Sequence, residues 1–203
     1  GDIYLANNPT FSANTSGQPG YPDYLDDDRD ISVNDISVNE DSPHAIFTVT
    51  ASDGQVLALS LANGTATVGT DTGSSLDFYN GSGWEPYNGT SVVMNGTTLL
   101  VRTTITDDAT FEGRETFALE AESLGGGKTA LGVGSIYDDG TGQTYSGAVT
   151  GNTPVVSFGT DDDRLLTVNS VTVNEESNHA VFTFTGTKGQ SPSRYYGRTG
   201  YAL

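Results

Sequence analysis

Acidic side chains follow the ends of several predicted β-strands, and their placement is the clearest chemical pattern in the sequence. They are Glu40, Asp71, Asp107, Asp108, Glu112, Glu115, Asp138 and Asp139. In a β-sandwich alternate strand ends meet at one pole, and carboxylates crowded there repel one another unless a cation lies between them. Calcium suits such a cluster because it takes about six to eight oxygen ligands in a flexible shell. The alternative is that these residues only form turns, since strand-end aspartates often bond their own backbone.

The composition favours calcium over other ligands. The chain has 203 residues, with 8 Lys+Arg against 26 Asp+Glu and a formal net charge of −18. Phosphate binding needs a basic face, so we expect cations and no nucleic acid as partners. The chain has two histidines and no cysteine, so it offers few ligands for zinc and cannot form disulfides. No apolar run is long enough to cross a bilayer, so membrane insertion is not expected.

The sequence offers little that could perform catalysis. His44 and His179 precede predicted strands at equivalent positions, which favours packing or a turn. No serine nucleophile elbow, phosphate-binding loop or Cys/His pair occurs. Two carboxylates could hydrolyse a glycoside, but calcium explains the acidic residues better. We therefore expect a protein that is not an enzyme.

A long internal repeat connects the two ends of the chain. Residues 26–50 read DDDRDISVNDISVNEDSPHAIFTVT, and residues 161–185 read DDDRLLTVNSVTVNEESNHAVFTFT, at an offset of 135 without a gap. Most differences are conservative, which indicates a duplicated module. The second copy has room for only its first two strands. Because two strands are marginal in water, we expect them to pack on the first module, on another chain or on a further segment.

The first copy is predicted to fold as a β-sandwich. β-Branched and alternating residues predict strands over 31–39, 45–51, 56–61, 91–94, 98–106, 116–122 and 129–136, with a kink at Asn34-Asp35. Since no helical period occurs, this pattern predicts an all-β, immunoglobulin-like, seven-stranded antiparallel sandwich followed by a truncated second copy. The predicted units are an N-terminal strand and linker (1–25), the sandwich (26–140), a linker (141–160) and the truncated repeat with a basic, aromatic tail (161–203).

Four ordered motifs resemble the Calx-beta family, which occurs in sodium–calcium exchangers and in large bacterial surface proteins. They are VNE at 38–40, NGTATVGTD at 63–71, ITDDATFEGRETF at 105–117 and SIYDDG at 135–140. The resemblance implies a seven-stranded sandwich with calcium bound at one pole. The ligands that it implies are Glu40, Asp71, Asp107, Asp108, Glu112, Asp138 and Asp139. Glu115 occupies a position that often supports the fold. The chain departs from the family where Asp71 is followed by Thr72-Gly73 without an aromatic residue, and where 80–88 looks like an insertion.

Several further features each have two interpretations. The triplets 26–28 and 161–163 are either ligands at a junction between modules or a solvated linker. Trp84, in the loop 80–88, either packs on the sandwich, which we favour, or stacks on a sugar. Five sequons indicate either glycosylation or turns: Asn14, Asn63, Asn80, Asn88 and Asn95.

The region after Glu176 is the basic part of an acidic chain. It contains no acidic residue and carries Lys188, Arg194 and Arg198 together with Tyr195, Tyr196 and Tyr201. Arginine and tyrosine are enriched at interfaces, so this tail suits binding to another copy of the chain. A disordered end is the alternative.

These features predict an extracellular or cell-surface structural protein. An open sheet edge accepts a strand from another chain, and a head-to-tail contact of that kind builds a filament of identical subunits. The donated element is either Asp2–Ala6 or the strands within 165–187. The alternative function is a calcium-dependent adhesin module that binds a glycan or a cell-surface receptor. A calcium-sensing intracellular module is less favoured, because the composition, rich in Asn, Gly and Thr, is typical of extracellular proteins.

Overall fold

A computed structural model describes residues 27–158 and 161–190 of the chain. In these residues every regular element is a β-strand, so the prediction of an all-β protein is confirmed. None of them forms a helix with the length and apolar character needed to span a membrane. The predicted strand Asp2–Ala6, Asn14, Asp26 and most of the basic tail lie outside the described residues.

Fourteen strands are present in the described part of the chain. They are β1 (Ser32–Val33), β2 (Ile36–Asn39), β3 (His44–Thr50), β4 (Val56–Asn63), β5 (Asp77–Tyr79), β6 (Trp84–Pro86), β7 (Val92–Val93), β8 (Thr98–Thr104), β9 (Glu115–Ser123), β10 (Thr129–Tyr137), β11 (Gln143–Thr150), β12 (Thr153–Phe158), β13 (Thr167–Val168) and β14 (Phe184–Thr185). The predicted strands that fall within the described residues are all represented, with 31–39 divided into β1 and β2, and β5, β6, β11 and β12 are additions.

The strands form two large sheets and one small one. A five-stranded sheet has the order β1-β3-β8-β5-β6, and a seven-stranded sheet has the order β12-β11-β2-β10-β9-β4-β7. Within the larger sheet β2 runs parallel to β10 and β11, while the other pairs are antiparallel. The prediction of seven strands, all antiparallel, is therefore wrong, because added hairpins enlarge both sheets and β2 lies beside the ends of two later strands. Strands β13 and β14 pair only with each other.

Alternating apolar residues bring the two large sheets into one core. Ala45, Phe47 and Val49 of β3 are all fully buried, as the period-2 pattern predicts. Phe47 meets Phe117 of the other sheet edge-to-face, with ring centroids 5.7 Å apart. The contact between these two rings therefore joins the sheets at the centre of the core.

The predicted kink at Asn34-Asp35 is the point where the chain crosses from one sheet to the other. Asn34 Oδ1 accepts a hydrogen bond from the Thr48 amide of the five-stranded sheet at 2.6 Å. Asp35 Oδ1 accepts one from the Val133 amide of the seven-stranded sheet at 2.8 Å. The two side chains thus satisfy backbone amides where the ladder is interrupted.

The segment predicted as a linker, 141–160, forms a β-hairpin over most of its described part. β11 and β12 pair from Gln143↔Phe158 to Thr150↔Thr153 and extend the seven-stranded sheet beside β2. Tyr145 is 4% exposed. Because one face of this edge hairpin meets solvent, its composition is rich in Gly, Ser and Thr, which is also the composition of a linker.

Trp84 packs on the body of the protein, as favoured from the sequence. Its Nε1 donates a hydrogen bond of 2.7 Å to the Gly147 carbonyl of the β11–β12 hairpin. The Arg102 guanidinium lies over the indole ring, 4.3 Å from its centroid. Trp84 thereby ties the hairpin β5–β6 to the hairpin that follows β10.

Local hydrogen bonds of the first repeat recur in the second at the offset of 135. Asn169 Oδ1 accepts from the Thr183 amide at 2.6 Å, as Asn34 does from Thr48. The pairing Thr167↔Thr185 of β13 with β14 matches Ser32↔Thr50 of β1 with β3. Each repeat also has a serine hydroxyl donating to a histidine carbonyl, Ser42 to His44 and Ser177 to His179.

Candidate metal centre

Parallel pairing of β2 with β10 places two carboxylates side by side. Parallel strands end at the same edge of a sheet, and here Tyr137 is opposite Asn39. The next residues, Glu40 and Asp138, follow directly, and the Glu40 amide donates to the Tyr137 carbonyl at 2.9 Å. Glu40 is 6% exposed and Asp138 is 1% exposed. Two acidic residues are therefore buried together at one pole of the molecule.

Other connections converge on the same acidic pole. Asp107 and Asp108 follow β8, and the Thr106 amide donates to the Asp71 carbonyl at 3.0 Å. The Glu112 amide, in the approach to β9, donates to Asp138 Oδ2 at 2.9 Å. The loop after β4, the loop between β8 and β9, and the ends of β2 and β10 therefore meet at this pole.

The carboxylates form two compact groups. In one, oxygens of Glu40, Asp138 and Asp161 lie within 4.8 Å of one another. In the other, oxygens of Asp71, Glu112 and Glu115 meet the same limit. A small cavity is lined by Glu40 of the first group and by all three residues of the second group.

The seven carboxylates predicted from the sequence fall into two sets. Glu40, Asp71, Glu112 and Asp138 belong to the two groups. Asp107, Asp108 and Asp139 lie outside them. Asp108 Oδ1 accepts from the Thr110 amide at 2.7 Å, and Asp139 Oδ1 accepts from the Thr141 amide at 3.1 Å. Asp71 Oδ2 likewise accepts from the Thr67 amide at 2.6 Å. Some of the seven carboxylates therefore form turns, which is the alternative interpretation of the sequence.

Two members of the groups were not among those seven. Glu115 is one of the strand-end acids but not one of the seven ligands that the resemblance implies, because its position often supports the fold, and it lies with Asp71 and Glu112. Asp161 belongs to the acidic triplet that opens the second repeat, and the repeated DDDR motif was the signal that could have identified it. Its place beside Glu40 depends on the hairpin β11–β12, which returns the chain to the pole.

The carboxylates at the pole are buried with too little positive charge near them, and the pKa values of several are raised. Burial, reinforced by the charge of Asp138, raises the pKa of Glu40 to about 8. Burial, with Asp163 next, raises the pKa of Asp161 to about 6. Burial also raises the pKa values of Asp107, Glu112, Glu115 and Asp163, with neighbouring carboxylates adding to the effect. Each shift reflects the cost of ionising one more acid at this pole.

Basic side chains of the described residues do not supply the missing charge. Over 27–158 and 161–190 the acidic partners in ion pairs are Asp27, Asp30, Asp77 and Asp162, none of which belongs to the two groups. The donor atoms at the pole are carboxylate oxygens, without imidazole or thiolate. Such a set suits a hard cation such as calcium.

The comparisons with known proteins leave the chain without a demonstrated family. No family model matches it, and no curated protein matches it. One similar solved structure is described as "AvmM Catalyzes Macrocyclization in Alchivemycin A Biosynthesis", with 9% identity and a TM-score of 0.33. The match covers 58% of this chain and 92% of that chain. At this level the similarity does not bear on activity, and the fold and site define an all-β protein with a buried acidic pole.

Proposed function

We propose that the protein is a non-enzymatic, extracellular or cell-surface structural protein whose Calx-beta-like sandwich binds calcium at the acidic pole. The observation that carries this proposal is the group of Glu40, Asp138 and Asp161, whose oxygens lie within 4.8 Å of one another. Like charges held this close in a buried place are unfavourable, and a divalent cation would turn the repulsion into attraction. Calcium would thereby stiffen the loops that meet there.

An immunoglobulin-like arrangement with a second copy is part of this proposal. It is supported by the two packed sheets, by the crossing at Asn34-Asp35 and by the parallel pairing of β2 with β10. The recurrence of local hydrogen bonds at the offset of 135 supports a second copy that begins at Asp161. The units 26–140 and 161–203 then correspond to one complete and one partial sandwich.

Asp138→Asn is expected to weaken calcium binding by about 10- to 100-fold or to abolish it. Asp138 is the most buried carboxylate of its group, and the substitution removes one charge while keeping its shape. Isothermal titration calorimetry with calcium chloride measures the effect, and circular dichroism verifies the fold. Glu122→Gln is the control, because Glu122 is exposed on β9 outside both carboxylate groups and loses the same charge. Equal affinities of the two variants would contradict the proposal.

The proposal extends to assembly into a fibre by β-strand complementation. Phe47 and Val49 of the first repeat are fully buried, whereas their counterparts Phe182 and Phe184 are 54% and 66% exposed. A pair of exposed aromatic side chains of this kind favours a contact with another chain. We infer that the strands within 165–187 are the element that joins neighbouring subunits head to tail.

Substituting serine for Phe182 and Phe184 together is expected to prevent filament formation. Both rings are exposed, so the loss would act on the contact between subunits instead of on the fold of one subunit. Negative-stain electron microscopy in millimolar calcium compares this variant with the unaltered chain. Phe158→Ser serves as the control, since Phe158 is 83% exposed on β12. Dispersed particles from the unaltered chain itself would refute the fibre.

A cavity beside β5 favours the second candidate, an adhesin module that binds a glycan. Phe78, Tyr79 and Leu99 contribute apolar lining, while Asn80, Asn95 and Asn152 add amides. A pocket with aromatic walls and a few polar groups is the usual form of a small-ligand site. Dispersed particles in the microscopy experiment would favour this candidate over the fibre.

A further inference from the structure

Asparagine followed by glycine occurs at four places in the sequence, and the structure distinguishes one of them chemically. They are Asn63-Gly64, Asn80-Gly81, Asn88-Gly89 and Asn95-Gly96. In such a pair the glycine nitrogen can attack the asparagine side chain, because the two groups are adjacent and glycine has no side chain to obstruct the approach. All four asparagines are exposed, so access to water does not separate them. The hydrogen bonds around each pair must decide which one reacts.

Three of the asparagine side chains are held in place by the main chain that follows them. In each, Oδ1 accepts hydrogen bonds of 2.8–2.9 Å from one or two backbone amides. The donors are the Val68 amide for Asn63, the Ser82 and Gly83 amides for Asn80, and the Thr90 amide for Asn88. These bonds must break before the side chain can move onto the glycine nitrogen, which slows the reaction.

The fourth asparagine, Asn95, lies in the turn between β7 and β8. Over the residues that the structure describes, no hydrogen bond joins its side-chain amide to another group, whereas the next amide, that of Gly96, is bonded to Asp53. Gly96 has a φ of 89°, and a Cβ built on it would meet no atom within 4 Å. The space beside the Gly96 backbone is therefore open to the side chain that precedes it.

A carboxylate is in contact with the nitrogen that would react. The Gly96 amide donates a hydrogen bond to Asp53 Oδ1 at 2.8 Å. An amide nitrogen becomes a nucleophile as it loses its proton, and a carboxylate in this position accepts that proton. Of the four glycine amides, that of Gly96 is the one that donates to a carboxylate within the described residues, while the Gly64 amide donates to the Ala66 carbonyl.

We propose that Asn95 is a site of spontaneous deamidation, with the Gly96 nitrogen as nucleophile and Asp53 as general base. The Gly96 nitrogen forms a bond to Asn95 Cγ while its proton passes to Asp53. The bond from Cγ to Nδ2 then breaks, and Nδ2 takes up that proton and leaves as ammonia. Water opens the resulting succinimide ring at either carbonyl and gives aspartate or isoaspartate. The reaction depends neither on calcium nor on assembly.

Conversion alters the contact between two turns of the first repeat. The turn that contains Asn95 is joined to the turn between β3 and β4 by the bond to Asp53 and by the Gly54 amide, which donates to the Met94 carbonyl at 3.0 Å. A new carboxylate beside Asp53 adds repulsion between like charges at this contact. Isoaspartate also lengthens the main chain by a methylene group, so both products loosen the connection between the turns.

Peptide mapping by mass spectrometry of the full chain, after incubation at neutral pH in water labelled with heavy oxygen, tests the proposal. The label enters only when the succinimide is hydrolysed during incubation, and electron-transfer fragmentation separates isoaspartate from aspartate. Asn63, Asn80 and Asn88 are controls within the same molecule. We expect Asn95 to convert at least about 5-fold faster than each of them, since one hydrogen bond of ordinary net strength corresponds to about that factor. Equal rates at the four sites, or a faster rate at one of the controls, would overturn the proposal.

The Asp53→Ser variant tests the general base. Serine keeps an oxygen that can accept from the Gly96 amide but cannot take its proton, and it avoids the new Asn-Gly pair that asparagine would form with Gly54. We expect conversion of Asn95 to slow by about 10-fold, less than an optimised active-site base contributes. Glu122→Gln, which removes the same charge from an exposed position on β9, is expected to leave the rate unchanged. A rate in Asp53→Ser equal to that of this control, with circular dichroism showing both variants folded, overturns the role of Asp53.

Discussion

Calcium is expected to raise the thermal stability of the protein, and to raise it more at pH 8 than at pH 5. A ligand that binds only the folded state at about 100 times its dissociation constant contributes about 2.7 kcal/mol. At low pH protons compete with calcium for the carboxylates, so the gain shrinks. Differential scanning fluorimetry with calcium or a chelator, from pH 5 to pH 8, measures both the gain and its pH dependence.

The direction of this dependence follows from the pKa of Glu40. The pKa is raised from an ordinary value of 4.5 to about 8 in the calcium-free protein, chiefly by burial. Between these values the folded state holds a proton that the unfolded state releases, so stability without calcium falls as pH rises through that range. Asp161, with a pKa raised to about 6 chiefly by burial, adds to the loss in the lower part of the range.

The Glu40→Gln variant tests whether Glu40 causes this pH dependence of stability, and His44 contributes a dependence of the opposite sign. Glutamine resembles the protonated acid, so Glu40→Gln should flatten the decline without calcium and reduce the gain from calcium. Burial, and then Arg102, lower the pKa of His44 below 6.5, which makes stability fall as pH decreases below that value. This opposite pH dependence of stability is present both with and without calcium. It therefore cancels when the stability without calcium is subtracted from the stability with calcium. A calcium gain equal at pH 5 and pH 8 would contradict the expectation.

Phe117→Ala is expected to destabilise the protein by about 3–5 kcal/mol. Phe117 is 1% exposed, and its ring meets Phe47 across the two sheets. A Cβ built on Gly134 would lie 2.5 Å from Phe117 Cε1, so the glycine in β10 makes room for the ring. Removing the ring leaves a cavity that such a closely packed site cannot readily close.

The midpoint and slope of urea unfolding measure this loss. Phe158→Ala is the matched control, because Phe158 is 83% exposed and its removal should change stability by less than about 0.5 kcal/mol. A Phe117→Ala variant as stable as the control would mean that the contact between the sheets is not the centre of the core.

The strands of the first repeat could be predicted because their apolar residues alternate. Phe47 and Val49 alternate with Thr48 and Thr50, and this period is a local property of an element with one buried face. The kink at Asn34-Asp35 could also be predicted, since Asn and Asp interrupt a run of β-branched residues. The hairpin β11–β12 could not, because Tyr145 and Val149 are too few to distinguish an edge hairpin from a linker.

The presence of an acidic pole could be predicted from the sequence, but the residues that form its carboxylate groups could not. Residue type and position at strand ends indicate Glu40 and Asp138 only as two of the carboxylates expected at one pole. The same rules could not separate the turn-forming Asp108 and Asp139 from the grouped carboxylates, because both kinds of aspartate follow a strand. That difference depends on which oxygens accept backbone amides in the folded chain.

By itself the sequence determined that the chain is all-β, that it repeats with an offset of 135, and that its acidic residues lie at strand ends. Alternation and turn residues are local properties of the chain, and the repeat follows from comparing the sequence with itself. Only the tertiary structure decided that β2 pairs in parallel with β10 and that the chain returns through β11–β12 to place Asp161 beside Glu40. Contacts between residues roughly 100 or more positions apart depend on how whole strands pair and pack, which no local pattern specifies.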